Sequence, residues 1–320
     1  MKASVHDCID TPIRMRILGA VISRTVLVVA VIALFHACTS EEVSLKLNVH
    51  QGQRFTYHTS ARQEITVGKM TYKENRGYNY TIEVLNVSPQ GILHLRNTMS
   101  GVTYSITSPN GGLTYPAPNT DHKYSSLDSL TIKVLKTMEG KSFDLYVSAS
   151  GEVKSVKGIE KVVESVGTEL GGGSDSAKQA IMQMAQGVIN QMVNAKELSN
   201  IWNFMPGRPI SEGDTWKRES TTQMLTPIQI KTQYEAEDIN DDSVVISLQA
   251  DIASVKDENP VMGEYNLEGT QKGRTVIEQS SGMLYSYKVN QEISGNASMP
   301  ERHYNEAIKI ISEVTVSRKP

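Results

Sequence analysis

The strongest constraint on the fold is an alternation of apolar and polar residues that recurs through most of the chain after residue 43. In YNYTIEVLNV (78–87), two tyrosines, an isoleucine and a valine share one side, and polar residues lie between them. A period of two places successive side chains on opposite faces of a strand. This segment is therefore predicted to be a β-strand with one face in water, and RFTYHTSARQEITV (54–67) reads in the same way.

Three segments of the first half return in the same order in the second half. The matched segments are 51–60 with 212–220, 79–99 with 228–252, and 140–159 with 273–293, and Gly282 takes the place of Gly151. Three ordered matches indicate a diverged internal duplication.

Helical spacing replaces the alternation between the two halves. Residues 126–139 carry apolar side chains at helical spacing, and Gly140 is placed to end that helix. A second amphipathic segment spans 158–170, and a glycine-rich joint separates it from a third at 176–206.

These patterns predict a mainly β (α+β) protein. Two repeated antiparallel curved sheets would form a sandwich or a partial barrel, with the helical insert between the halves. The first half is predicted at 44–157, including the helix at 126–139, the insert at 158–206, and the second half at 207–320.

The third helical segment carries the candidate residues for contact with an apolar ligand, which are Met184, Val188 and Met192. Methionine is unbranched and polarizable, so it adapts to apolar partners of varied shape. Two readings stay open: the stripe packs in the core of a concave sheet, or it borders a lipid-sized cavity. The second reading is an analogy with periplasmic carriers that hold acyl chains.

The motifs of the body resemble those of a known family. The segment GKSF, the GEV hairpin, the GD.W turn and the final SG.L.S hairpin are similar to those of the DUF6263 family, which comprises uncharacterised lipoproteins frequent in Bacteroidota. The resemblance covers roughly residues 44–318. It implies a fold and no activity, because the family is uncharacterised. The motif residues look structural, with turn glycines and core aromatics among them: Gly140, Lys141, Ser142, Phe143, Gly151, Val156, Gly158, Gly213, Asp214, Trp216 and Gly282.

The N-terminus is predicted to be a signal peptide over residues 1–37, with Met15 as an alternative start. The apolar run 25–35 has the length of a signal core and is too short to span a bilayer comfortably. The residues before Cys38 resemble a bacterial lipobox, in which the cysteine is lipidated and becomes the first residue. Residues 38–43 would then be the lipidated cysteine and an acidic tether. An ordinary signal peptide and a single membrane anchor are the alternatives.

The remaining composition agrees with this location. The chain has two cysteines, and none follows Cys38, so the mature part has no disulfide framework. The net charge is −3, and charges of both signs are mixed along the sequence, so no basic patch for nucleic acid is predicted. We therefore expect a bacterial outer-membrane lipoprotein that contacts the membrane through its anchor, on the periplasmic or the exposed side.

No catalytic or metal-binding motif is present. The sequence lacks nucleophile-elbow, phosphate-loop, zinc-protease and calcium-loop motifs, and its histidines are not at metal-ligand spacing. His58 and His94 fall on predicted strands, where they could meet across a sheet. We expect no enzyme, no cofactor and no metal. The expected function is a binding or scaffold module for an apolar or lipid-like ligand or an envelope protein, with a hydrolase lacking a known motif as the alternative.

Overall fold

A computed structural model describes residues 42–116, 126–172, 174–192, 204–223, 226–255, 264–299 and 304–319. Its strands are β1 (Arg54–Val67), β2 (Met70–Val87), β3 (Ile92–Ser108), β4 (Gly111–Tyr115), β5 (Ser142–Ser148), β6 (Val153–Lys157), β7 (Thr215–Gln223), β8 (Pro227–Ile239), β9 (Ser243–Ser254), β10 (Glu264–Glu278), β11 (Leu284–Met299) and β12 (Tyr304–Arg318). Its helices are α1 (Ser126–Met138), α2 (Ile159–Leu170) and α3 (Asp175–Met192). The predicted signal peptide and Cys38 lie outside the described residues.

The strands form one antiparallel sheet in the order β6-β5-β3-β2-β1-β12-β11-β10-β9-β8-β7, with β4 paired to β3. This confirms the mainly β, antiparallel prediction. The two repeats are halves of a single sheet, because residues 57–67 of β1 pair with residues 308–318 of β12. The sheet does not close into a barrel, since β6 and β7 are its two edges.

The two halves share local hydrogen bonding as well as strand order. At the start of the first half, Gly52 N–H donates to the carbonyl of Val84 at 2.8 Å. At the start of the second half, Gly213 N–H donates to the carbonyl of Ala236 at 2.8 Å. The matched hairpin glycines, Gly151 and Gly282, have φ of 82° and 69°, a region that side chains other than glycine rarely adopt. The structure therefore repeats the pattern found in the sequence.

The three helices contribute to the main hydrophobic core. The helix predicted at 126–139 is observed as α1, and the insert contains α2 and α3. Val134, Val166 and Ala185, one from each helix, are fully buried in a cluster that also contains Ile82, Leu95 and other residues of the sheet. In the described part of the chain, no helix combines the length and the apolar character that crossing a bilayer needs.

An extended segment at 43–49 ties distant parts of the sheet together. Its alternate residues Val43, Leu45, Leu47 and Val49 are buried, as the alternation predicts. Val43 forms an isolated antiparallel bridge with Ile210, ahead of β7. The N–H of Leu47 donates to the carbonyl of Ala149 in the β5–β6 turn at 2.8 Å, and the N–H of Asn48 donates to a carbonyl of the β10–β11 turn. The segment thus links turns from both halves.

Glycines on one side of β10 and β11 allow these strands to approach closely. A Cβ at Gly295 would overlap the backbone carbonyl of Asn266 on the neighbouring strand. A Cβ at Gly269 would overlap the carbonyl of Glu292 and lie 2.8 Å from Cα of Ile293. Real Cβ atoms do not come this near to backbone, so only glycine permits this close approach of β10 and β11 at these positions.

A partly buried ion pair fixes the end of the last strand. The guanidinium of Arg318 donates to both oxygens of Glu278, at 2.8 and 3.0 Å, and stacks on Tyr285. The Ser281 and Tyr285 hydroxyls also donate to Glu278. These hydrogen bonds, led by that of Arg318, lower the pKa of Glu278 to about 2. The pair joins the ends of β10 and β12 beside β1.

Gly295→Ala is expected to lower the free energy of unfolding by about 2 kcal/mol or more, because the backbone of β10 must move to admit the methyl group. Gly187→Ala is the control, since Gly187 is exposed on α3 and a methyl group added there would meet nothing within 4 Å. It should add about 0.5–1 kcal/mol through helix propensity. Chemical denaturation followed by circular dichroism measures both, and equal midpoints for Gly295→Ala and the wild type would contradict the close approach.

Glu278→Gln is expected to lower stability by about 2 kcal/mol at pH 7, after allowance for solvent screening. The pKa of Glu278 in the folded protein, about 2, lies below the ordinary value of 4.5. The contribution of the pair is therefore present above pH 4.5 and is lost as the pH falls towards 2. Denaturation curves between pH 7 and pH 2 should show the wild type and the variant converging.

Glu292→Gln is the matched control for this ion pair. Glu292 pairs with Lys309, but the two side chains are 61% and 53% exposed, and such pairs contribute less than about 1 kcal/mol. A loss as large as that of Glu278→Gln, or a difference that persists unchanged at pH 2, would show that the ion pair is not what fixes β12.

Candidate ligand-binding cavity

A row of polar side chains crosses the inner face of the sheet, at core-facing positions of the alternating pattern. The hydrogen-bonded register aligns one residue from each of eight successive strands, β2, β1, β12, β11, β10, β9, β8 and β7. We call these residues the polar row: Glu74, Gln63, Ser312, Gln291, Gln271, Ala250, Thr232 and Arg218. Ala250 is its one apolar member.

The polar row lies between two apolar layers. On the helix side, the next residues along the strands include Val289 and Leu248, which belong to the main core, and Val314, which pairs with Val289. On the other side lies a separate buried cluster, here called the isoleucine cluster: Ile228, Ile230, Ala250, Ile252, Leu267, Ile293, Ala297, Ile308 and Ile310. A polar stripe therefore separates two hydrophobic cores on one face of a single sheet.

A cavity of about 320 Å³ opens along this stripe. Every member of the polar row except Ala250 lines it, together with Phe204 and apolar residues of the helix-side layer. Residues of β2 and β7, which are far apart in the strand order, line the same cavity, so the sheet curves around it. Its size lies within the range of small-molecule sites, and its wall combines apolar surface with a few polar groups.

Three buried polar atoms of the wall have no hydrogen-bond partner among the described residues. They are Nε of Arg218 and the hydroxyl oxygens of Thr222 and Thr275. Thr222 is 8% exposed and Thr275 is 0% exposed, so bulk water does not solvate them freely. An unpaired buried polar group costs about 1–3 kcal/mol, and each group therefore favours a bound water or ligand atom.

The chain ahead of β7 forms part of the cavity wall, and β7 holds it there. The indole N–H of Trp216 donates to the carbonyl of Phe204 at 2.8 Å, and Nη2 of Arg218 donates to the carbonyl of Met205 at 2.8 Å. Trp216 also stacks on Tyr234 with ring centroids 5.5 Å apart. The sequence motif around Trp216 thus positions Phe204, which is 2% exposed, against the cavity.

The opposite end of the polar row is neutralised within the protein. Nε and Nη2 of Arg76 donate to the two oxygens of Glu74, both at 3.0 Å. Burial, followed by the nearby charge of Glu74, raises the pKa of Tyr104 to about 12, so this phenol stays protonated at neutral pH. Burial likewise raises the pKa of Tyr287, which lines the cavity.

The helix residues predicted from the sequence are only partly described. Met184 is half-buried and packs against the main core, and it is not among the residues that line the cavity. The side chains of Val188 and Met192 lie outside the described residues, so a ligand contact from α3 stays a prediction. The sequence carried a signal for the observed cavity, namely polar residues such as Gln63, Gln271 and Gln291 at inward positions of strands.

The two strand histidines do not meet. Nδ1 of His58 lies 3.0 Å from the side-chain oxygen of Asn79, and Nε2 of His94 lies 3.0 Å from Asp144. Burial alone would raise the pKa of Asp144, but the hydrogen bonds that it accepts from Arg96 and His94 lower it overall. Within the described residues, no group of three His, Cys, Asp or Glu side chains is placed to hold a metal ion.

A chain of lipovitellin, in a structure titled "Lipid-protein interactions in lipovitellin", matches with a TM-score of 0.47 and 11% identity. That match covers 85% of this chain and 26% of the other, so the present chain spans about a quarter of the lipovitellin chain. The comparison with curated proteins gives no match.

The family model described as "Family of unknown function (DUF6263)" matches residues 90–284. The matched region begins at the turn before β3 and ends at the first residue of β11. It includes both hairpin glycines, Gly151 and Gly282, and the turn that leads to Trp216. Because the match covers more than half of the chain, the protein belongs to the DUF6263 family.

Proposed function

We propose that the protein is a lipid-anchored module of the bacterial cell envelope that binds an amphipathic ligand on the inner face of its sheet. The observation that carries the proposal is the cavity along the polar row, in which buried polar atoms without partners lie beside apolar side chains. An amphipathic ligand would cover the apolar wall and hydrogen-bond the unpaired groups at the same time.

The apolar part of such a ligand would lie against the helix-side wall. Leu248, Val289 and Val314 come from adjacent parts of the sheet and face the cavity. Leu248 and Val289 are 6% and 5% exposed, so the protein already shields this surface from bulk water. Each methylene that moves from water to such a wall contributes about 0.8 kcal/mol.

The chemistry of the wall supports binding over the hydrolase alternative. A hydrolase must activate its nucleophile, a side-chain hydroxyl or a water molecule, with a general base that has a free lone pair directed at it. Glu74 is the one carboxylate of the described lining, and both of its oxygens accept hydrogen bonds from Arg76. The described lining contains no histidine, cysteine or aspartate.

Native mass spectrometry of the full chain, purified from cells in mild detergent, tests the proposal. We expect a mass excess of one ligand that disappears on denaturation. Val314→Trp should reduce this population at least tenfold, because the indole would occupy the apolar side of the cavity. Ile311→Trp is the matched control: Ile311 lies on the same strand, on the opposite face, and is 45% exposed, so its complex should persist.

The same sample tests the anchor under denaturing conditions. We expect a covalent acyl mass on the wild type that is absent from Cys38→Ala, because the thioether cannot form without the sulfur. A chain without covalent lipid would remove the anchor from the proposal. A wild type without any non-covalent ligand, or equal loss in Val314→Trp and Ile311→Trp, would remove the binding function.

A further inference from the structure

Arg218 is a cation on the cavity wall without a counter-ion in the described part of the chain. It faces the cavity from β7, and its register neighbour on β8 is Thr232. Its Nη2 donates a hydrogen bond to the Met205 carbonyl, while the buried Nε–H has no acceptor among the described residues. A guanidinium has five N–H donors, and its best acceptors are oxyanions that take two parallel hydrogen bonds.

The other charged residues of the cavity wall do not compensate the positive charge of Arg218. The charged residues of the described lining are three arginines, at 62, 76 and 218, and one glutamate at 74. Glu74 forms an ion pair with Arg76, and Arg62 is exposed to solvent. The cavity wall therefore carries a net positive charge at its β7 end. Arg218 is partly buried, with its Nε fully enclosed, and a ligand of opposite charge would offset the cost of partly desolvating the guanidinium.

Apolar and hydroxyl groups surround Arg218 in an arrangement that suits a headgroup joined to a chain. Ser220 follows it on the same face of β7, and both residues line the cavity. Leu248 and Tyr234, from the adjacent helix-side layer, line the same space. A ligand whose anionic end reaches Arg218 would thus meet apolar wall immediately beyond it.

We infer that the ligand is an anionic amphiphile and that Arg218 binds its oxyanion. This inference rests on the proposed binding function and narrows it to one ligand class: a carboxylate or a phosphate joined to an aliphatic chain. A free fatty acid and a lipid phosphate both present this chemistry. Arg218 also holds Met205, so it fixes one wall of the cavity while it binds the headgroup.

Native mass spectrometry with competing probes tests the inference on the full chain. The protein is stripped of bound ligand and then mixed, in one detergent, with equal amounts of hexadecanol and either hexadecanoate or hexadecyl phosphate. The wild type should bind at least one of the anions about tenfold more than the alcohol, as expected for a charge-assisted pair. Whichever anion gives the larger ratio identifies the headgroup as carboxylate or phosphate.

Arg218→Gln loses both the charge and the hydrogen bond to Met205, so it should weaken both complexes and lower the anion-to-alcohol ratio to about one. An unchanged circular dichroism spectrum shows that the variant is folded. Arg218→Lys keeps the charge but loses the fork of donors, so its ratio should be intermediate. Lys217→Gln is the matched control, because Lys217 is exposed on the other face of β7, and its ratio should equal that of the wild type.

The outcomes separate this inference from the proposed function. Equal binding of anion and alcohol to the wild type, or a ratio unchanged in Arg218→Gln, would overturn the inference and leave an uncharged amphiphile as the ligand. If neither probe binds the wild type, both the inference and the proposed function fail. An equal fall of the ratio in Lys217→Gln would assign the effect to general charge and would also overturn the role of Arg218.

Discussion

The pairing of β1 with β12 is the interaction on which the rest of the structure depends. It joins the first and the last strand of the body, so its contacts are among the most distant in sequence. Closing such a long loop has an entropic cost, which the pairing of eleven residues on each strand and the buried face offset. Without this pairing the two repeats would be separate sheets, and the polar row would be cut between Gln63 and Ser312.

The continuous sheet creates a problem that the polar row addresses. A curved sheet with an entirely apolar inner face would collapse on itself or on the helices, and close packing would leave no cavity. Polar residues at inward positions interrupt the packing between the main core and the isoleucine cluster. Glycines at 269 and 295, which pair with Ile293 and Leu267 of the isoleucine cluster, allow β10 and β11 to approach closely beside it. The cavity thus follows from register, curvature and composition together.

The sequence was sufficient to predict the strands, the duplicated hairpins and the helix that ends before Gly140, because these depend on local periodicity and turn chemistry. It was not sufficient to predict the β1–β12 pairing, which joins the two ends of the body. The polar row was predictable only in part, because each strand contributes a single member, such as Gln271 or Arg218. The sequence shows polar residues at inward positions of individual strands, but their alignment across eight strands depends on the pairing register, which local periodicity does not set.

The central claim is that the space along the polar row is a binding site. A crystallographic map of the full chain, purified in detergent without removal of bound lipid, tests it directly. The account predicts continuous elongated density that starts beside the guanidinium of Arg218 and runs along the wall formed by Leu248 and Val289. A cavity that holds only separate water peaks, hydrogen-bonded to Arg218, Thr222 and Thr275, would contradict it.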